Sequence, residues 1–226
     1  MTYKETRNEL LGSGYSTKFS PWLAFGCVSA RFIMSELERF EAQYGGNDST
    51  YWVWFELLWR DYFKFVALKF GNALFKEGGL LAATGDRVNW VKGVESDKRF
   101  WAWANGETGV PFIDANMREL KATGFMSNRG RQNVASYLVK DLNVDWRRGA
   151  EWFESYLLDY DPCSNYGNWL YVAGLGNDPR QDRYFNVIKQ AHASDVDMIK
   201  KQKILGTENI YIFLAIYRIM IPRVCM

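Results

Sequence analysis

The order of hydrophobic and polar positions predicts helices along most of the chain. After Ser29, a residue suited to cap a helix, the apolar side chains Ile33, Leu37, Phe40 and Tyr44 recur at helical spacing until two glycines follow. No convincing alternation of apolar and polar residues, the pattern of a half-buried strand, is present. The sequence therefore predicts an all-α fold.

Other helices are predicted from capping residues, prolines and glycines at their ends. One begins at Ser20-Pro21, and the others are expected over 50–70, 96–105, 111–123, 127–141 and 145–158. The segment 50–70 is apolar nearly all round, so we expect it to be buried. Segments 76–93 and 159–195 are rich in Gly, Pro and other turn formers, and we expect them to be mostly irregular.

Composition excludes several classes of function. The net charge is +2 from 28 basic and 26 acidic residues, so any nucleic-acid surface must be local. Three scattered cysteines and the single His192 argue against a disulfide framework and exclude a multi-histidine metal centre. No secretory signal is visible, so we expect an intracellular protein. Residues 210–221 are apolar but too short to span a membrane, so no membrane partner is expected.

Charged residues occur in the most apolar helix. Glu56 and Arg60 lie four residues apart among Trp52, Trp54 and Trp59. Such a pair is often a solvated support of the helix surface. In this setting little of the helix can face water, so a ligand is the other candidate partner. The sequence alone leaves the two interpretations open.

A second polar group begins the helix predicted after Ser127. Asn128, Arg131 and Gln132 share one helix face, and free backbone N–H groups favour an anion at this end. An arginine here opposes the helix dipole, so a carboxylate or phosphate should offset it. The alternative is an ordinary surface helix with salt bridges.

The segment "LDYDPCSNYGNW" at 158–169 offers such carboxylates. Asp159 and Asp161 could meet Arg131, and Asn165 adds an amide that both donates and accepts. This set suits the edge of a flat heterocycle with alternating donors and acceptors. Without further support, an irregular loop of turn formers is the favoured interpretation of this segment.

Taken in order, several segments resemble the FAD-binding domain of the photolyase/cryptochrome family, and within it the DASH-type cryptochromes. The resemblance covers about residues 1–192, and its block from 108 to 169 is highly specific. The segments that carry it are "YKETR", "YSTKFSPWLAFGCVS", "FELLWRDYFKF", "TGVPFIDANMRELKATGFMSNRGRQNVASYLVKDLNVDWRRGAEWFESYLLDYDPCSNYGNW" and "GLGNDPRQDRYF".

The resemblance implies FAD held in a folded conformation in a central cavity of a helical domain. Asn165 would face flavin N5, and Asp159 would pair with Arg131 at the flavin edge. The residues that match cofactor-binding positions are Tyr3, Ser16, Thr17, Lys18, Phe19, Ser20, Asn128, Arg131, Asp159, Asp161 and Asn165.

The resemblance also implies a DNA site and an electron-transfer chain. Trp169 and Trp146 match two members of the tryptophan chain, and Trp90 is the expected outer member, with Trp101 or another aromatic residue as its alternative. Glu56 would bond the damaged bases, and Trp59 would stack on them. The residues expected to contact DNA are Glu56, Trp59, Arg60, Asn128, Arg129, Gln132 and Tyr171.

The activity implied by the resemblance is light-driven electron transfer from reduced FAD to cyclobutane pyrimidine dimers in single-stranded DNA. The alternatives are a blue-light receptor or nucleic-acid-binding module without repair, and a fragment that cannot hold FAD. No metal is expected, and the chain is expected to be a monomer, with a plastid or mitochondrion as a family-typical location.

Two departures from the family pattern concern domain organisation. The antenna-binding α/β domain, which holds a folate in the full-length family member, does not precede the helical domain in this sequence. Residues 193–226 do not match the family, and we interpret them as a divergent tail from truncation, alternative splicing or a gene-model artefact. The expected organisation is therefore 1–192 as the FAD-binding domain, followed by this tail.

Overall fold

The computed structural model describes residues 2–10, 14–84, 89–176 and 184–185. Every regular element in these residues is helical, which confirms the predicted all-α fold. Two 3-10 turns (Gly71–Phe75 and Gly79–Thr84) and one π-helical turn (Tyr137–Asp141) join the α-helices. In order, these are α1 (Tyr3–Thr6), α2 (Ser20–Ala24), α3 (Ala30–Tyr44), α4 (Asp48–Phe70), α5 (Gly93–Asn105), α6 (Pro111–Thr123), α7 (Asn128–Ser136), α8 (Trp146–Tyr156) and α9 (Pro162–Ala173).

Short polar side chains fix where the longer helices begin. The Ser29 hydroxyl accepts a hydrogen bond from the Phe32 N–H at 3.1 Å, as expected for an N-cap. Helix α4 starts two residues earlier than predicted, because Asn47 and Thr50 form a reciprocal capping box. Helix α2 begins at Ser20 itself, with Pro21 in its first turn and no side-chain cap.

The expectation of an irregular segment after Asp159 is wrong for residues 162–173, which form α9. The Asp161 carboxylate accepts from the Ser164 N–H at 2.8 Å and caps this helix. Pro162 occupies the first turn, where its missing N–H has no intrahelical partner to lose. Gly174 ends the helix in the left-handed region, at φ 74°.

Helix α9 lies at the centre of the fold and packs against both α4 and α8. Gly167 of α9 approaches Phe63 of α4, and Gly149 of α8 approaches Trp169, so closely that a β-carbon would clash at either position. Around these contacts lies one apolar core, with the indoles of Trp103 and Trp146 fully buried. Close backbone approach therefore holds the tryptophan-rich helices in place.

Helix α4 is buried on one face only, so the expectation of burial all round is wrong. Leu57, Phe63 and Val66 are buried, whereas Phe65 and Leu68 are 69% and 80% exposed. Within the described ranges no helix is long and apolar enough to cross a membrane. The apolar segment 210–221, His192 and the whole predicted tail lie outside those ranges.

Candidate functional site

A cavity of about 560 Å³ lies between α4, α7, α9 and the segments around α1 and α2. Its size is typical of a site for a small molecule or cofactor. Most residues that the sequence analysis selected line it, although they come from four distant parts of the chain. They are Tyr3, Ser16, Thr17, Phe19, Ser20, Glu56, Trp59, Arg60, Asn128, Arg131, Gln132, Asp159, Asp161 and Tyr171.

A smaller cavity of about 150 Å³ adjoins the first and shares part of its wall. Asn128, Arg131 and Asp159 line both, whereas Asn165 and Trp169 line only the smaller one. The residues that the resemblance places beside the flavin therefore lie together where the two cavities adjoin.

The polar centre of this region is the pair between Arg131 and Asp159. Arg131 Nη2 lies 2.9 Å from Asp159 Oδ2, and Arg131 Nε donates to the Met126 carbonyl at 2.9 Å. The Ser127 hydroxyl caps α7 through the Gly130 N–H at 3.0 Å and so sets the position of Arg131. The buried carboxylate therefore offsets the arginine near the helix N-terminus, as predicted.

This pair leaves one buried oxygen without a partner. Asp159 Oδ1 is fully buried and accepts no hydrogen bond from the part of the chain that the structure describes. A buried carboxylate oxygen needs a donor, because leaving it unpaired costs about 1–3 kcal/mol or more. The N–H groups at the edge of an isoalloxazine ring are donors of the required kind, so this residue fits FAD.

Asn165 is held by the neighbouring helix. Its side-chain N–H donates to the Ala150 carbonyl of α8 at 3.0 Å, and the residue is buried. This contact uses one of the two amide N–H groups and orients the side chain, whose oxygen can accept a hydrogen bond beside the smaller cavity. Asn165 is therefore an oriented polar group rather than a free loop residue.

Lys18 differs from the other predicted cofactor-binding residues of segment 16–20, because its side chain does not line the cavity. Its backbone lies in the left-handed region, at φ 57°. Its ammonium group sits 3.8 Å from the centre of the Tyr15 ring and 4.2 Å from that of Phe125. Burial lowers the pKa of Lys18 to about 8. The Lys18 side chain lies against these rings and is not part of the cavity lining.

Glu56 is held by two residues from α1 and the turn after it. Tyr3 Oη donates to Glu56 Oε2 at 2.6 Å, and Arg7 Nε donates to Glu56 Oε1 at 3.1 Å. Burial and the hydrogen bond to Glu56 raise the pKa of Tyr3 well above its ordinary value. The i,i+4 pair considered for Glu56 is not formed, because Arg60 instead contacts the Leu23 carbonyl and Asp61.

Arg7 is a site residue that the sequence analysis did not select. Besides bonding Glu56, its guanidinium lies 3.9 Å from the centre of the Trp52 ring and lines the cavity. The signal was present, since Tyr3 and Arg7 are four apart in "YKETR", the spacing of one helix face.

Aromatic side chains of α4 and α9 line the larger cavity, and a basic residue of α7 bonds one of its lining residues. The Trp59 ring meets Tyr171 edge to face at 6.2 Å, and Trp59 is 37% exposed. Arg129 donates to Gln132 at 3.2 Å and to Asn8 at 2.8 Å, outside the cavity lining. Burial and the nearby Arg7 lower the pKa of Arg129.

The selected tryptophans are distributed around the core. Trp169 is almost fully buried, and its ring contacts Trp103 at 6.2 Å. Trp146 is fully buried and donates from Nε1 to the Glu77 carbonyl at 3.1 Å. Trp90 is also buried, whereas Trp101 is half exposed. By exposure alone, Trp101 is the one of these residues that solution reductants can reach.

No group of three or more His, Cys, Asp or Glu side chains that could hold a metal ion occurs within the described ranges.

Comparison with known proteins agrees with this geometry. Residues 52–201 match the family model described as the FAD-binding domain of DNA photolyase. Over 189 residues the chain is 64% identical to cryptochrome DASH of Danio rerio, covering 84% of this chain and 35% of the relative. It is 61% identical over 193 residues to the chloroplastic/mitochondrial cryptochrome DASH of Arabidopsis thaliana, covering 85% of this chain and 33% of the relative.

Solved structures show the same fold. A cryptochrome of Synechocystis superposes with a TM-score of 0.82 at 58% identity, over 89% of this chain and 40% of that one. A class III photolyase of Agrobacterium tumefaciens superposes with a TM-score of 0.77 at 32% identity, over the same shares. The chain spans about a third of the length of the curated relatives that it matches. It belongs to the photolyase/cryptochrome family, contains that family's FAD-binding domain, and is similar to the cryptochromes named DASH.

Proposed function

We propose that this chain uses FAD and blue light to split cyclobutane pyrimidine dimers in single-stranded DNA. One observation carries the proposal. Glu56 and Trp59, suited to bond and stack on a base, line the same cavity as Asp159, whose unpartnered oxygen suits a flavin edge. Substrate and cofactor would then lie close together in one cavity, as rapid electron transfer between them requires.

Four groups of side chains would hold the cofactor. The hydroxyls of Ser16, Thr17 and Ser20, together with nearby backbone N–H groups, would bind its pyrophosphate. Asp159 and Asp161 would accept hydrogen bonds from the flavin edge, with Arg131 fixed by Asp159. Phe19 and Asn128 would flank the rings, and Asn165 would face N5. When bound, FAD supplies the light absorption and the one-electron chemistry.

The opening of the cavity would receive the damaged bases. A dimer must leave the base stack to reach the cavity, which costs least in an unpaired strand. Glu56 would then bond the bases, with Trp59 and Tyr171 stacking beside them. Arg60, in the cavity lining, and Arg129, bonded to the lining residue Gln132, would attract the phosphates. Gln132 lines both cavities and would lie between the substrate and the cofactor.

The tryptophans would restore the reduced cofactor. We propose that Trp169, which lines the smaller cavity with Asn165, passes an electron to the cofactor. Trp146 would then reduce the oxidised Trp169, and Trp90 would reduce the oxidised Trp146. The half-exposed Trp101 is the alternative outer residue. Enclosure of Trp146 and Trp169 in the core keeps water from consuming their radicals.

The proposal also covers the oligomeric state, the domain organisation and the cellular location of the chain. We propose a monomer in which residues 1–192 form the FAD-binding unit and 193–226 a divergent tail. An intracellular location in a plastid or mitochondrion is part of the proposal, because the plant relatives have chloroplastic/mitochondrial names. Cell fractionation with an antibody against the chain would test this location.

The decisive experiment measures dimer loss in a single-stranded oligonucleotide under blue light. The wild-type chain should repair it, and Glu56→Gln should lower repair about 10- to 100-fold, because a hydrogen bond to a charged group contributes about 1.5–3 kcal/mol. The control Glu107→Gln changes an exposed glutamate outside the cavity and should leave repair unchanged.

Three results would contradict the proposal in different ways. Light-dependent flavin reduction without dimer loss would favour a blue-light receptor or binding module. Equal repair by wild type and Glu56→Gln would show that the bases bind elsewhere. A preference for duplex DNA would remove the single-stranded part of the proposal.

A further inference from the structure

Tyr166 of α9 lies between a core tryptophan and a carboxylate. Its ring contacts Trp146 edge to face, with centroids 6.0 Å apart. Its hydroxyl donates to Glu154 Oε2 of α8 at 3.2 Å. Tyr166 is itself buried, whereas Glu154 is exposed to solvent. A phenol is therefore placed within reach of both an aromatic electron acceptor and a proton acceptor.

Trp146 has no comparable proton acceptor among the residues that the structure describes. Its Nε1 donates to the backbone carbonyl of Glu77 at 3.1 Å. A peptide carbonyl accepts a hydrogen bond but is too weak a base to take the proton. If Trp146 loses an electron, it therefore stays a radical cation and remains a strong oxidant of its neighbours.

We propose that Tyr166 is an electron donor to oxidised Trp146, with Glu154 as the acceptor of its proton. One electron moves from the Tyr166 ring to the Trp146 radical cation, which returns to neutral tryptophan. The O–H bond of Tyr166 breaks at the same time, and its proton forms a new O–H bond on Glu154 Oε2. The products are a neutral tyrosyl radical and a protonated carboxyl group.

This inference rests on the proposed function, since the light-driven chain through Trp169 must first oxidise Trp146. Burial and Glu154 raise the pKa of Tyr166 to about 12, so the phenol is protonated at neutral pH and must lose a proton when oxidised. The exposed Glu154 can release that proton to water. The neutral tyrosyl radical would be longer-lived than a tryptophan radical cation, because loss of the proton removes the positive charge.

Tyr160 supplies a matched control. It also lies near Glu154, and burial together with this carboxylate raises the pKa of Tyr160. No ring contact joins Tyr160 to Trp146 in the part of the chain that the structure describes. Removing its hydroxyl therefore leaves the electron path intact while changing the same carboxylate environment.

The test is electron paramagnetic resonance of the FAD-loaded chain, illuminated and then frozen, with ring-deuterated tyrosine or tryptophan to identify each radical. We expect a tyrosyl radical in wild type and in Tyr160→Phe, and none in Tyr166→Phe. Glu154→Gln should lower the tyrosyl yield at least about tenfold, because a positioned proton acceptor typically contributes this much or more.

Each other result overturns the inference. Only tryptophan radicals in wild type would contradict Tyr166 as a donor while supporting the proposed chain. A tyrosyl radical that survives in Tyr166→Phe would assign it to another tyrosine. No protein radical in an FAD-loaded chain would contradict both the inference and the proposed tryptophan chain.

Discussion

At the scale of single residues, the site is defined by acidic groups whose partners differ. Both oxygens of Glu56 are already bonded, to Tyr3 and Arg7, so this carboxylate is fixed before any substrate binds. Asp159 is bonded through one oxygen only, and its other oxygen is buried without a partner in the described residues. We therefore propose that Glu56 is a pre-oriented contact for a substrate and that a cofactor completes the hydrogen bonds of Asp159.

Lys18 gives a prediction on stability at this scale. Its pKa is about 8 in the folded chain and ordinarily 10.5, so unfolding takes up a proton between these values. The free energy of unfolding should therefore rise with pH between these two values. Below pH about 8 the buried ammonium is charged, and its destabilisation of the folded state is then greatest. Denaturant unfolding at pH 7.5 and 9.5 should show a larger increase for wild type than for Lys18→Met.

The matched control is Lys140→Met, which removes one positive charge, as Lys18→Met does, but at an exposed position. It should keep the wild-type dependence on pH. An identical dependence in wild type and Lys18→Met would contradict the burial of the Lys18 ammonium between the Tyr15 and Phe125 rings.

At the scale of elements, α9 organises both the core and the site. It presents Asn165 and Trp169 to the smaller cavity, Tyr171 to the larger cavity, and Gly167 to α4. Its residues look like turn formers in isolation, and the helix depends on the Asp161 cap and on packing against two neighbours. Local sequence thus predicted the wrong structure where tertiary contacts decide the outcome.

Gly149 provides the test at this scale. An added β-carbon would lie 2.6 Å from Leu138 Cδ2 and would also clash with the Trp169 ring. Gly149→Ala should lower the free energy of unfolding by about 1–3 kcal/mol, although alanine is the better helix former. Glu151→Ala, at an exposed position of α8, should change it by less than about 0.5 kcal/mol. A stabilised Gly149→Ala would contradict the close α8–α9 contact.

Sequence reasoning succeeded best where the signal was local or carried by the family resemblance. The helix ends at Ser29, Ser127 and Gly106 follow from capping chemistry. Charge alone offered both Asp159 and Asp161 as partners of Arg131, and the family resemblance implied Asp159, which pairs with Arg131 in the structure. The partners of Glu56 could not be predicted in this way, because Tyr3 and Arg7 lie about fifty residues earlier in the chain. The exposed face of α4 was missed because hydrophobicity does not reveal which neighbour covers a side chain.

At the scale of the whole molecule, the cavity exists only when distant segments assemble. Its walls come from the segments around α1 and α2, from α4, and from α7 and α9, so cofactor binding depends on the complete helical assembly. A ligand that binds only the folded state stabilises that state by mass action. Flavin content therefore reports on the architecture as well as on Asp159.

The most direct test of the account is the amount of FAD bound per purified chain, read from its absorption spectrum. We predict a structured flavin band in wild type and in Glu107→Gln. Asp159→Asn should weaken FAD binding about tenfold or more, since it loses a charge-assisted hydrogen bond. A folded, helical wild-type chain that binds no FAD, or an Asp159→Asn variant with wild-type affinity, would contradict the account.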